Sequence, residues 1–224
     1  GESAGAMSVV SLLAMPAARG LFRRAIAQSG AGHSVMSAGT ARTVAGALSD
    51  MLGVAPTRAA FAGIEPKVLV DAQERLTARI RGERDPATWG EIATDSMAFE
   101  PCVDGTVLPG RPIDLVGKGA GSDVDVLIGH NDDEMTLFFV PLGVDGLLDE
   151  AAARGLAAAY GLTDPEAFDA YRRARPDARP GEVAMHIVRD WMYRIPVLRV
   201  AEARATHGAE THVYRFDWKS PLFD

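Results

Sequence analysis

Cysteine is almost missing from this 224-residue sequence. Cys102 stands alone, so no intrachain disulfide can form, and no Cys/His spacing suited to a metal site exists. Positive charge is also in deficit. Lys and Arg number 23 against 30 Asp and Glu, a formal net charge of −7. No basic block stands out, which removes the electrostatic footprint of a nucleic-acid binder. Long apolar runs are lacking too. The longest, Val124–Gly129 and Leu137–Leu142, fall far short of a membrane span, so we expect neither a nucleic-acid nor a membrane partner. Neither a repeat period nor a low-complexity tract is visible. An initiator methionine and a lead-in strand are absent as well: the text opens inside a motif, Gly1-Glu2-Ser3-Ala4-Gly5, and we expect a fragment of a longer protein. What is present is core material. Hydrophobic residues make up 47% and charged ones 24%, which excludes a disordered chain.

Helical and strand-like patterns alternate along the chain, which favours an α/β layered architecture. Ala4 to Leu13 reads as a short helix packed through small residues and stopped by Pro16. Arg24 to Ser29 is short, mostly apolar and followed by Gly30, the pattern of a buried strand. Ala41 to Leu52 reads as a helix closed by Gly53, and Pro66 to Ile80 as a helix with proline in its first turn. Asp104-Gly105 signals a turn. Asp123 to Gly129 reads as a core strand leading into the polar cluster His130-Asn131-Asp132-Asp133-Glu134. Helices are expected over Leu147–Tyr160, Pro165–Arg173, Gly181–Tyr193 and Ile195–Thr206, the last two joined at Pro196. Thr211 to Trp218 alternates with period two, as a half-buried strand does.

Gly1-Glu2-Ser3-Ala4-Gly5 fits the Gly-x-Ser-x-Gly nucleophile elbow, in which a serine on a sharp strand-to-helix turn is held out into a pocket. The flanking glycines let strand and helix approach closely. The helix N-terminus behind the serine favours a developing oxyanion. A triad acid in such hydrolases follows the serine in sequence and sits on a loop after a strand. Asp132, Asp133 and Glu134 all satisfy that placement, and a solvated loop carboxylate would look the same. Trp89, Phe99, Phe138, Trp191 and Tyr193 read as core or pocket-wall residues. The arginines at 172, 173 and 175 read as a solvated helix end.

Five segments, taken together and in order, resemble the type-B carboxylesterase family of α/β hydrolases, which includes the bacterial para-nitrobenzyl esterases and the cholinesterases. They are Gly1-Glu2-Ser3-Ala4-Gly5-Ala6; Leu21-Phe22-Arg23-Arg24-Ala25-Ile26-Ala27-Gln28-Ser29-Gly30; Pro101-Cys102-Val103-Asp104-Gly105-Thr106-Val107-Leu108-Pro109; Gly129-His130-Asn131-Asp132-Asp133-Glu134; and Val213-Tyr214-Arg215-Phe216-Asp217-Trp218. The resemblance implies that Ser3 is the nucleophile and Glu134 the triad acid, since the family's Asn-x-Asp-Glu loop ends in that glutamate. It implies that the Ala4 N–H is one oxyanion donor, that Ser29 helps orient the acid, and that Glu2 orders the polar network beside the nucleophile. Met135 departs from the family, which has glycine after the acid, and His130 stands where a small or apolar residue is usual.

The family's triad histidine follows the last matched strand, so by this resemblance it lies beyond Asp224. Its glycine-rich oxyanion loop lies before Gly1. Of the five histidines present, His130 precedes the acid, His186 lies within a helix, His207 near a helix end and His212 at a strand start; His33 could line the pocket. None resembles the family's catalytic histidine. The whole of 1–224 is therefore expected to be a partial α/β-hydrolase domain: the C-terminal part of the sheet with helical insertions, incomplete at both ends. The implied activity is hydrolysis of small-molecule carboxylic esters through an acyl-enzyme, with no cofactor or metal. The 224 residues alone are expected to be inactive and cytoplasmic, and able to self-associate or take up a complementary piece through exposed sheet edges. The competing reading is a non-catalytic binding relative.

Overall fold

The computed structural model describes residues 1–95, 97–219 and 221. They fall into two compact units, Gly1–His33 with Gly110–Asp224, and Ser34–Pro109. The strands are β1 (Arg24–Gln28), β2 (Met36–Ser37), β3 (Cys102–Val103), β4 (Asp125–Asn131) and β5 (Thr211–Phe216).

The first unit is built on a parallel sheet in the order β1-β4-β5. Glu2 adds an isolated parallel bridge to Gln28 on β1. The Ser3 N–H donates to Gln28 O at 2.9 Å, and the Gln28 N–H donates to Gly1 O at 2.9 Å. The chain start therefore runs beside β1 as a strand end, and the helix Ala4–Ala14 springs from it. That helix and Ile195–Ala205 bury their apolar faces on one side of the sheet. Val10, Ala27, Val126, Ile128 and Val197 are at most 1% exposed there, each larger side chain contributing about 1.5–3 kcal/mol by leaving water. Arg24–Ser29 proves less buried than its composition predicts. Ala27 faces the helices, whereas Ile26 and its register partner Leu127 stay 49% and 37% exposed on the other face.

Other expectations shift as well. The strand predicted at Asp123–Gly129 lies two residues later, and the predicted helix Leu147–Tyr160 starts at Glu150, where the Asp149 carboxylate caps Ala152. Gly181–Tyr193 and Ile195–Thr206 are not joined at Pro196. The helix Pro180–Arg189 passes into a π-helical turn, Asp190–Arg194, before Ile195–Ala205 begins, and Pro196 sits harmlessly in that last helix's first turn.

In the second unit β2 and β3 form a short parallel pair. The helix Ala38–Leu52 begins three residues before its predicted start, because Ser37 Oγ caps the Thr40 N–H, and it ends at Gly53 with φ +65°. Helix Pro66–Glu83 runs to Glu83, beyond Ile80. Met36, Val44, Leu76, Ile80 and Trp89 form the core. The Trp89 indole N–H donates to Glu83 at 2.7 Å. Asp104 Oδ1 accepts three successive N–H groups, from Thr106 to Leu108, with Gly105 at φ +78°, the turn its sequence predicts. Among the described residues no helix is long and apolar enough to cross a membrane, and no group of three His, Cys, Asp or Glu could hold a metal ion.

Candidate active site

Ser3 sits between the Glu2 bridge and the first helical residue with φ +53° and ψ −119°. A residue bearing a Cβ is strained there by about 1–3 kcal/mol. Two neighbours allow the geometry. A Cβ on Gly1 would lie 2.5 Å from the Gly5 carbonyl, and one on Gly30 would lie 2.6 Å from Ser3 O and 2.9 Å from Ala6 Cβ. Gly5, by contrast, has open space where a methyl group would project. The close approach expected of both motif glycines is thus required at Gly1, with Gly30 as its partner on the loop after β1. Ala4 opens the helix, so its N–H has no acceptor within that helix and points along the positive end of the dipole.

Glu134 follows β4 and is 8% exposed. Its Oε1 accepts the Asn131 backbone N–H at 2.6 Å, and its Oε2 accepts Asn131 Nδ2 at 3.0 Å. Asn131 Nδ2 also reaches Ser29 Oγ at 3.4 Å. Ser29, 3% exposed with φ +54°, is itself held by its N–H donating to Gly129 O at 2.8 Å. Ser29 and Glu134 are therefore connected through Asn131, to which sequence reading gave no role of its own. Its signal was there: a side-chain amide three residues before a carboxylate can close a ring around it. Asp132 and Asp133 do not take part in this arrangement. Asp132 is instead a partner of Arg189.

Because the Glu2 bridge, β1 and β4 are parallel and adjacent, Ser3 and Glu134 lie at the same carboxyl edge of one sheet with β1 between them. Two strand spacings, about 10 Å in all, separate their strands. That is the edge where open α/β sheets place ligands. Tyr193, 5% exposed, has its phenol pushed up to about 12 by burial first, and then by the carboxylates of Glu134 and Glu2. Both charges are thus felt at one hydroxyl, which stays protonated at neutral pH.

A second fastening was not read from the sequence. Arg189, 4% exposed, grips Asp190 Oδ1 through Nε and Nη2 at 2.9 and 2.7 Å and donates from Nη1 to Asp132 O at 3.0 Å. Asp190 also accepts the Tyr171 hydroxyl at 2.8 Å. The network ties the acid loop to the end of Pro180–Arg189, over a cavity of about 350 Å³ whose wall includes Glu134, Met135, His186 and Arg189. Met135 packs on Met185, Val188 and Tyr193, so the side chain replacing the family's glycine is absorbed by the core.

Three of the five histidines have polar partners of their own. His130, 4% exposed, donates from Nδ1 to Asn131 O at 2.8 Å. His207 donates to Gly117 O at 2.8 Å, and His212 pairs with Glu210 at 3.0 Å. His186 is half-buried, its imidazole held below the usual range by burial and then by Arg175. His33 stacks edge-on against Trp191, 5.6 Å between centroids, with neither ring nitrogen hydrogen-bonded among the described residues. Burial, and secondarily Arg199, pull its pKa down to about 4. Of the aromatic residues read as core or wall, Trp89 and Tyr193 are buried, whereas Phe99 and Phe138 are each 51% exposed.

The family model described as "Carboxylesterase family" matches residues 1–222. The para-nitrobenzyl esterase of Bacillus subtilis is 33% identical, the alignment covering 100% of this chain and 43% of that protein. The phenmedipham hydrolase of Pseudarthrobacter oxydans is 31% identical with the same coverage. Among solved structures, a carboxylesterase of Geobacillus stearothermophilus superposes with a TM-score of 0.80 at 32% identity, over 100% of this chain and 44% of that one. A para-nitrobenzyl esterase superposes with a TM-score of 0.73 at 31% identity, over 98% and 44%. The chain spans less than half the length of these relatives.

Proposed function

The chain belongs to the carboxylesterase family and has the α/β-hydrolase fold, and from that premise we propose that it carries the nucleophile and the acid of a serine carboxylester hydrolase. Ser3 attacks the ester carbonyl, a histidine beyond Asp224 takes its proton, and Glu134 holds that histidine in the productive tautomer and stabilises the imidazolium. The Ala4 N–H is one oxyanion donor. Water then resolves the acyl-enzyme. Ser29 keeps Glu134 in place through Asn131, and Glu2, with Tyr193, sets the local field beside the nucleophile. The interval of about two strand spacings between the serine and acid strands leaves room for an imidazole.

One observation carries this reading: Ser3 is a non-glycine residue held at φ +53°, at the same sheet edge as a buried, doubly hydrogen-bonded Glu134. Strain of this kind persists only where surrounding structure imposes it, and an elbow that presents its hydroxyl is the arrangement it creates. The substrates proposed are small carboxylic esters, the class named by the relatives' activities. The test is a fluorophosphonate probe on the full-length protein with peptide mapping. A single adduct at Ser3, absent from Ser3→Ala, supports the assignment. Labelling elsewhere would overturn the assignment of Ser3, and no labelling would overturn the reading in favour of a non-catalytic binding relative.

A further inference from the structure

Within Ser34–Pro109 lies a cavity of about 360 Å³ walled by Met36, Val44, Leu48, Phe61 and Phe99, with Cys102 beside them. Its size falls in the range of small-molecule sites. Its wall carries a single carboxyl group, that of Glu100. Glu100 Oε1 is buried and has no hydrogen-bond partner among the described residues, so the wall presents a polar atom that a ligand donor could satisfy. The same carboxyl shares a hydrogen bond with Asp95, whose Oδ1 accepts the Met97 N–H at 2.9 Å.

The charged groups acting on Glu100 are all acidic. Asp95 and Glu91 raise it, and Glu91 is already engaged by the Ser37 N–H and by Thr40 Oγ1. Arg42 and Asp50 of Ala38–Leu52, and Arg58 of the short helix Arg58–Ala62, do not line the cavity. The consequence is a carboxyl raised to about 8, mainly by burial, and therefore protonated at neutral pH.

The geometry points to this cavity as a binding site for a small amphipathic amine, its ammonium paired with Glu100 and its apolar body against Phe61 and Phe99. An anion is disfavoured by the acidic cluster of Glu91, Asp95 and Glu100. An inorganic cation is disfavoured because the walls are apolar and no three-ligand cluster is present among the described residues. A neutral ligand could satisfy Oε1 but leaves the carboxyl pair sharing its proton. An ammonium instead expels that proton. The neutral Glu100 carboxylic acid and the free alkylammonium become an ion pair of Glu100 carboxylate and alkylammonium, and the one proton that Glu100 loses passes to solvent. This inference is independent of the ester-hydrolase reading, since every residue it uses lies outside that site.

The experiment is isothermal titration calorimetry of the full chain with 2-phenylethylamine, in phosphate and in Tris, whose ionisation enthalpies differ. Saturable 1:1 binding with release of about one proton at pH 7 is expected. Affinity should be about tenfold weaker at pH 6, because each pH unit below the carboxyl's pKa costs a factor of ten. Glu100→Gln should weaken binding at least tenfold and abolish proton release. Ala45→Phe, which fills the cavity and leaves the carboxyl, should block it. Absence of saturable binding, equal affinity for neutral 2-phenylethanol, or binding undiminished in either variant would overturn the inference.

Discussion

Replacing Glu134 by glutamine separates a catalytic carboxylate from a structural one. The substitution keeps the shape but puts an amide nitrogen, with its two hydrogens, where one carboxylate oxygen stood. Oε1 can still accept the Asn131 backbone N–H. The new amide nitrogen then meets Asn131 Nδ2, donor against donor, at the 3.0 Å contact. A flip of the Asn131 amide relieves this. Its oxygen then accepts from the glutamine amide and from the Ser29 hydroxyl, which lies at 3.4 Å from Nδ2 in the unaltered chain. Because a complete hydrogen-bond set survives, stability should change by less than about 1 kcal/mol. Catalysis should not survive, because a neutral amide neither stabilises an imidazolium nor enforces its tautomer. In the serine-protease template the corresponding charge removal costs about 10⁴ in kcat, equivalent to about 5 kcal/mol of barrier. The assay is para-nitrophenyl acetate turnover by the full-length protein alongside urea denaturation. A loss smaller than tenfold, or a larger loss in Asp132→Asn or Asp133→Asn, would refute the argument.

Ser3→Gly should stabilise the fold by about 1 kcal/mol, because glycine accepts φ +53° freely, whereas Ser3→Ala keeps the Cβ and should not; denaturant midpoints of the two variants compare directly. Gly30→Ala should cost about 3 kcal/mol, since its methyl meets Ser3 O and Ala6 Cβ, atoms that cannot swing aside. Gly129→Ala should cost a similar amount, since its methyl meets Tyr214 Cγ at 2.5 Å as well as the ring edge at 2.3 Å, and turning the ring about its own axis does not move Cγ; a much smaller loss would contradict this. His33 has a folded pKa of about 4 against 6.5, so the unfolded chain binds its proton first. Its contribution is complete above pH 6.5 and lost as pH falls towards 4, by about 3 kcal/mol at most. His33→Phe should flatten that part of the urea stability–pH profile.

Much of the candidate site was legible because its local geometry follows from nearby residues. Ser3 is marked by the glycine at position 1 and the small-residue helix behind it, and Glu134 by its distance from a strand end. Among three adjacent acids, however, local pattern was indifferent. Family resemblance pointed to Glu134. In the structure Glu134 is the one enclosed by Asn131, while Asp132 goes to Arg189. Gly5, conspicuous in the motif, meets nothing, whereas Gly30, far along the chain on the loop after β1, is the glycine on which the turn closes.

The sequence by itself determined the alternation of helices and strands, the strand-to-helix turn at Ser3, the Gly53 cap and the Asp104-Gly105 turn. These depend on periodicity and on backbone preferences that neighbours within a few residues express. The tertiary structure alone decided which polar groups become partners. Arg204, outwardly a last-turn helix cation, is 1% exposed and donates to Gly121 O, Val124 O and Thr211 Oγ1, tying together loops up to 83 residues apart. Arg189 and the acid loop meet across 57 residues, and Ser29 and Asn131 across 102. Such contacts leave no periodic trace, because the sheet register and the path of the chain between strands set them. A buried charge or amide is tolerated wherever that register delivers its hydrogen bonds.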